Sequence, residues 1–123
     1  MKNFLCLCLC MFTFFFTNYN SQEEIKSIST KDLKVLLAQK TIQLIDVRTP
    51  KEIKDGAIKT AFFVNYFDED FYEKAAKHLD MEKPVYLYCR SGARSGKAAK
   101  ILQNKGFNIY NVLGGYTQWK KEN

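Results

Sequence analysis

Apolar positions in this chain fall into short continuous runs separated by stretches with helical spacing. Four runs rich in β-branched and aromatic residues predict strands: Ile42 to Val47, Ala61 to Asn65, Val85 to Tyr88 and Asn108 to Leu113. Ile25 to Ile28 adds a shorter fifth candidate. Between them the spacing changes. Thr30 is placed to cap a helix running to Gln39, with Leu33, Leu36 and Leu37 on one face. Thr49-Pro50-Lys51-Glu52 carries a cap, a proline at the first helical position and a glutamate that can reach back, and this short helix is expected to stop at Gly56. Further helices are predicted from Phe67 to Leu79, from Arg94 to Lys105 before Gly106, and from Gly115 to Lys121. Strands alternating with helices imply crossover connections and a parallel sheet, covered on both faces by helices. The near-continuous apolar character of the strands agrees with burial on both faces. The expected fold class is a three-layer α/β/α domain with a mainly parallel central sheet, over residues 25–121.

The N-terminal pattern is different. From Phe4 to Phe16 every residue except Thr13 is apolar, Lys2 is the only charge before Glu23, and the polar run Thr17 to Ser21 follows. A membrane-spanning helix needs about 20 apolar residues, so this run is short for a permanent span and suits the core of a signal peptide. Residues 1–21 are therefore expected to be a leader, cleaved near Ser21 or Gln22, that exports the domain to a periplasmic or extracellular location. An uncleaved anchor or a buried N-terminal helix is the competing reading. Lipid attachment at Cys10 is disfavoured, because Leu9 rather than a small residue precedes it.

At 123 residues the chain has room for one hydrophobic core. The net charge of +6 becomes +5 when Lys2 leaves with the leader. The lysines are scattered among acids, with no basic block interleaved with aromatics, which argues against nucleic-acid binding and leaves a mild bias toward small anions. Cys6, Cys8 and Cys10 lie inside the apolar leader, where they serve as small hydrophobes, and no histidine or carboxylate sits near enough to suggest a metal. The exported domain would then keep one cysteine, Cys89. A lone cysteine in such a protein suggests a reactive thiol or intermolecular pairing, and its surroundings must decide against a buried, inert side chain.

Those surroundings are informative. Tyr88 ends a predicted strand, Arg94 begins a predicted helix, and Cys89-Arg90-Ser91-Gly92-Ala93 joins them. Ligands of open α/β sheets bind beyond the carboxyl ends of the strands. A helix start there offers unpaired N–H groups, and a tight turn of successive amides makes a concave nest for an anion. Gly92 supplies the backbone freedom for the turn. Such amides favour the thiolate over the thiol and could equally hold the charged outer sulfur of a persulfide. Arg90 and Arg94 add cationic donors for an oxyanion. The alternative is a strand-to-helix turn with a covered cysteine and two solvated arginines, and the functional reading requires a thiol that solvent can reach.

Cys89-Arg90-Ser91-Gly92-Ala93-Arg94-Ser95 resembles the active-site loop of the rhodanese family of sulfurtransferases. Leu44 to Glu52 is similar to the family's strand and Asp-Val-Arg element, Gly56 to Ala61 falls where the family often has Gly-His-Ile-Pro-Gly-Ala, and Gly114-Gly115-Tyr116-Thr117-Gln118-Trp119 resembles its closing Gly-Gly-x-x-x-Trp signature. The ordered set spans roughly Ile28 to Lys121. Ala57, Lys59 and Thr60 depart from the family's histidine, proline and glycine.

The resemblance implies a single rhodanese domain in which Cys89 is the sulfur acceptor and residues Arg90, Ser91, Gly92, Ala93, Arg94 and Ser95 form the anion cradle. It implies sulfur transfer from a donor such as thiosulfate, through a persulfide, to cyanide, a thiol or a protein acceptor. No cofactor or metal is called for, no membrane contact follows cleavage, and a monomer is expected. The family analogy gives Asp46 and Arg48 a role in supporting the loop; on the residues alone they are equally a strand-end ion pair. His78, the only histidine, falls in a helical pattern with Lys74 and Lys77 and reads as a surface residue. Two rival functions follow from related chemistry. Protein tyrosine phosphatases place five residues between cysteine and arginine where this chain has four, and the shorter loop favours a single sulfur over a phosphoryl group; arsenate reduction stays open. A non-catalytic binding module is disfavoured by the presence of Cys89.

Overall fold

A computed structural model describes residues 24–123; the leader and its three cysteines lie outside the described residues. The elements run β1 (Lys26–Ile28), α1 (Thr30–Gln39), β2 (Gln43–Asp46), α2 (Pro50–Ile53), β3 (Phe62–Phe63), α3 (Phe71–Ala76), β4 (Val85–Tyr88), α4 (Ala93–Asn104), β5 (Ile109–Val112) and α5 (Gly115–Glu122). All strand pairings are parallel, in the order β1-β5-β4-β2-β3. The predicted α/β class and parallel sheet are what the structure has.

Two apolar clusters explain the three layers. Successive side chains of a strand point to opposite faces. Leu44, Tyr86, Tyr88 and Val112 therefore face Leu33 of α1, with Tyr116 and Trp119 of α5 packed alongside. Ile45, Val85, Leu87 and Ile109 face the other way, onto Phe71 and Ala75 of α3 and Ala98, Ala99 and Leu102 of α4. Each fully covered aliphatic side chain contributes about 1.5–3 kcal/mol, so both faces of the sheet drive folding. Continuing the alternation past Leu87 sends Cys89 toward the α3–α4 layer, where it joins the second cluster.

Several boundaries differ from the sequence expectation. Ser29, not Thr30, caps α1: its Oγ accepts from the Asp32 amide at 3.1 Å. The Thr30 hydroxyl instead donates to Glu122 of α5 at 2.6 Å. Helix α3 begins at Phe71 rather than Phe67, because the Asn65 side chain accepts from the Phe67 amide and makes a turn where the helix would start. The capping box of α2 is present as predicted, with Thr49 Oγ1 accepting from the Glu52 amide and Glu52 accepting from the Thr49 amide. In the loop that departs from the family pattern, Thr60 adopts φ 74°, a left-handed conformation that disfavours β-branched residues. His78 lies just past α3, exposed, with its ring 5.2 Å from that of Phe62.

Candidate active site

Central strand β4 delivers Cys89 to the carboxyl edge of the sheet, between β2 and β5. The chain then turns sharply. Gly92 sits at φ 111° as the N-cap of α4, and this conformation brings its amide to 3.0 Å from Cys89 Sγ. One turn into α4, the Ser95 hydroxyl lies 3.3 Å from the same sulfur. Cys89 and Arg90 turn their carbonyls outward, where the first amides of α5 hold them: Tyr116 N–H donates to the Cys89 carbonyl at 2.8 Å and Thr117 N–H to that of Arg90 at 3.0 Å. A trans peptide points its C=O and N–H in opposite directions. Holding these two carbonyls therefore turns the amides of Arg90 and Ser91 away from α5. Gly115 is what allows the approach, since a Cβ there would lie 2.4 Å from the Cys89 oxygen and 2.7 Å from the Arg90 oxygen.

Burial pushes the Cys89 thiol up, but the Ser95 hydroxyl and the amides of Ser95, Gly92 and Ser91 favour the anion and outweigh it, so the net direction is down. An inert core cysteine would lack these donors. The expectation of an open thiol is not met, however: Cys89 is only 1% exposed. Arg90, Ser91 and Ala93 of the same loop are exposed.

The two arginines behave differently. Arg94 makes a bidentate pair with Glu52 of α2, both contacts at 2.7 Å, which engages both of its terminal nitrogens. This pair holds the Glu52 carboxyl down at about 2. Arg90 is exposed and lines a cavity of about 650 Å³ beside α5, together with Lys120, Lys121 and Asp55.

Asp46 and Arg48 form a buried pair at 2.7 Å, with the Arg48 amide also donating to Asp46. Arg48 reaches the Gly56 carbonyl at 2.8 Å and lies over the Tyr116 ring at 4.2 Å. The pair thus braces the 56–61 loop and α5, and Arg48 also lies 5.6 Å from the ring of Tyr88, the residue before Cys89. Three residues of this arrangement were not singled out from the sequence: Glu52 as the partner of Arg94, Gly115 as the point of contact with the loop, and Asn111. Asn111 is half-buried in β5, where its Oδ1 lies 2.6 Å from Ser95 Oγ and its Nδ2 donates to the Gly92 carbonyl at 3.2 Å. A polar residue inside the apolar run Ile109 to Val112 was the available signal.

The sequence matches the Rhodanese-like domain family across residues 29–122. The chain belongs to the rhodanese family. It is 38% identical over 100 residues to Bacillus subtilis YtwF, a sulfurtransferase-like protein, covering 80% of this chain and 94% of that one. Thiosulfate sulfurtransferase 18 of Arabidopsis thaliana is 34% identical over 109 residues, covering 79% of each chain. A rhodanese-like domain protein from Staphylococcus aureus has the same fold, with a TM-score of 0.69 at 33% identity over 77% of this chain and 91% of its own. At the level of the rhodanese family the activity is sulfur transfer between a donor and an acceptor.

Proposed function

We propose that this rhodanese moves sulfane sulfur from a small anionic donor such as thiosulfate to a thiophilic acceptor, with Cys89 carrying the sulfur as a persulfide. The observation that carries this reading is the 3.0 Å contact between the Gly92 amide and Cys89 Sγ, at the end of a central parallel strand. In the first half-reaction the Cys89 thiolate attacks the outer sulfur of thiosulfate. A new S–S bond forms, the donor's S–S bond breaks, and sulfite leaves with the electron pair. In the second, cyanide or an acceptor thiolate attacks the outer sulfur and Cys89 departs as thiolate. The amides of Arg90 to Ser95 favour negative charge at the start and end of each step. Because the sulfur is nearly covered, the exposed Arg90–Ser91 turn has to yield for the donor to enter.

Purified protein is expected to form thiocyanate from thiosulfate and cyanide, and Cys89→Ser to abolish it. Unchanged thiocyanate formation in that variant would remove Cys89 from the reaction. We further propose that residues 1–21 direct export, on the strength of the short apolar run after Lys2. N-terminal sequencing of the protein made in its own cells is then expected to begin near Gln22, and a start at Met1 would contradict cleavage.

A further inference from the structure

The Ser95 hydroxyl faces two acceptors with one proton. Its oxygen lies 2.6 Å from Asn111 Oδ1 and 3.3 Å from Cys89 Sγ. The amide orientation of Asn111 follows from its other contact: Nδ2 donates to the Gly92 carbonyl at 3.2 Å, and the reverse orientation would oppose two oxygens. Oδ1 is thereby fixed toward Ser95. When Sγ is neutral, the amide oxygen is both the nearer and the better acceptor. When Sγ is a thiolate, the charge-assisted bond to sulfur is the stronger one.

We propose that Asn111 is a positioning residue for sulfur transfer: it holds the Ser95 hydroxyl while Cys89 Sγ is neutral and releases it to the sulfur when charge appears there. This rests on Cys89 as the sulfur carrier. Sγ is neutral in the thiol, whose S–H can donate to Ser95, and again as the inner atom of the persulfide. As the acceptor bonds to the outer sulfur and the bond to Sγ breaks, the electron pair remains on Sγ. The hydroxyl then turns from Asn111 to the departing thiolate, and no proton leaves Ser95. The first half-reaction runs the same motion in reverse. The charged groups around Cys89 are Arg90 in its own loop, Arg94 of α4 with its partner Glu52 of α2, and the Asp46–Arg48 pair at the end of β2; β5 supplies Asn111, which is uncharged. None of them takes the Ser95 proton, so the exchange belongs to Ser95, Asn111 and the sulfur.

The test is a double-variant cycle of Asn111→Leu and Ser95→Ala, read by the pH dependence of Cys89 alkylation with iodoacetamide. Removing the competing acceptor frees the hydroxyl for sulfur. Relative to its effect in the Ser95→Ala background, Asn111→Leu is expected to shift the alkylation midpoint of the Ser95-containing protein lower by about 0.5–1 pH unit. Loss of the Gly92 tether acts equally in both backgrounds and cancels. The same shift in both backgrounds, or a higher midpoint only when Ser95 is present, would overturn the proposal. Asn111→Ala carries the same comparison if the leucine variant does not fold. Alkylation reads the hydroxyl's position with or without sulfur transfer, so failure here is separable from failure to form thiocyanate.

Discussion

The amide of Tyr116 donates to the carbonyl of Cys89 at 2.8 Å, and this contact ties the last helix of the fold to its cysteine loop. Its partner contact, Thr117 to Arg90 at 3.0 Å, fixes the next peptide. Both exist because Gly114 and Gly115 start α5 at φ 76° and 55° with no Cβ in the way. Gly115 therefore acts on the loop, while a Cβ at Gly114 would meet Gln118 of its own helix.

Gly115→Ala is expected to force the loop outward and turn its amides from the sulfur. Sulfur transfer is predicted to fall roughly a hundredfold, the scale of losing one anion-stabilising donor. The Cys89 alkylation midpoint is predicted to rise. Steady-state rates and an alkylation pH profile check this, with circular dichroism confirming that the variant is folded. A folded variant with wild-type rate and midpoint would show that the contact does not matter.

Much of this arrangement was legible beforehand, and for identifiable reasons. Strands covered on both faces read as apolar runs, and β4 matches its predicted span. The alternation Val85, Leu87, Cys89 follows from strand geometry once that span is known. Contacts between residues distant in sequence were not legible. Arg94 reads as a free cation until the fold brings Glu52, 42 positions earlier, against it. Thr30 is as good a cap as Ser29 until Glu122 claims its hydroxyl. The near-complete cover of Cys89 depends on how tightly the loop closes, which no local pattern reports.

The strained backbone at Thr60 gives a stability prediction. The side chain is exposed, so glycine loses little packing there while relieving the left-handed conformation. Thr60→Gly is expected to stabilise the fold by about 0.5–1 kcal/mol after the extra unfolded-state entropy of glycine is counted. Urea denaturation measures it; a destabilised variant would mean that the φ of 74° carries no strain.

The Glu52–Arg94 pair predicts an acid dependence of stability. Glu52 titrates at about 2 in the folded protein, against 4.5 for an unperturbed carboxyl. A depressed folded value stabilises above the unfolded value and is lost as pH falls through the folded one. The wild-type protein is therefore expected to lose stability between about pH 4.5 and pH 2, and Glu52→Gln to flatten that part of the profile. The pair is partly exposed, so added salt is predicted to reduce the difference. Identical acid profiles for the two proteins would contradict the pairing.

The cover over Cys89 predicts selectivity by reagent size. Iodoacetamide is expected to alkylate the native protein, and a bulky dye-linked maleimide to react far more slowly until denaturant is added. Native protein inert even to iodoacetamide at pH 8 would mean that the loop does not open.

The sulfur-carrying role of Cys89 is tested most directly by intact-mass and peptide mass spectrometry after brief treatment with thiosulfate. One added sulfur atom is expected, located on the peptide containing Cys89 and removed by cyanide. A protein that gains no sulfur, or gains it equally in the Cys89→Ser variant, would contradict that role.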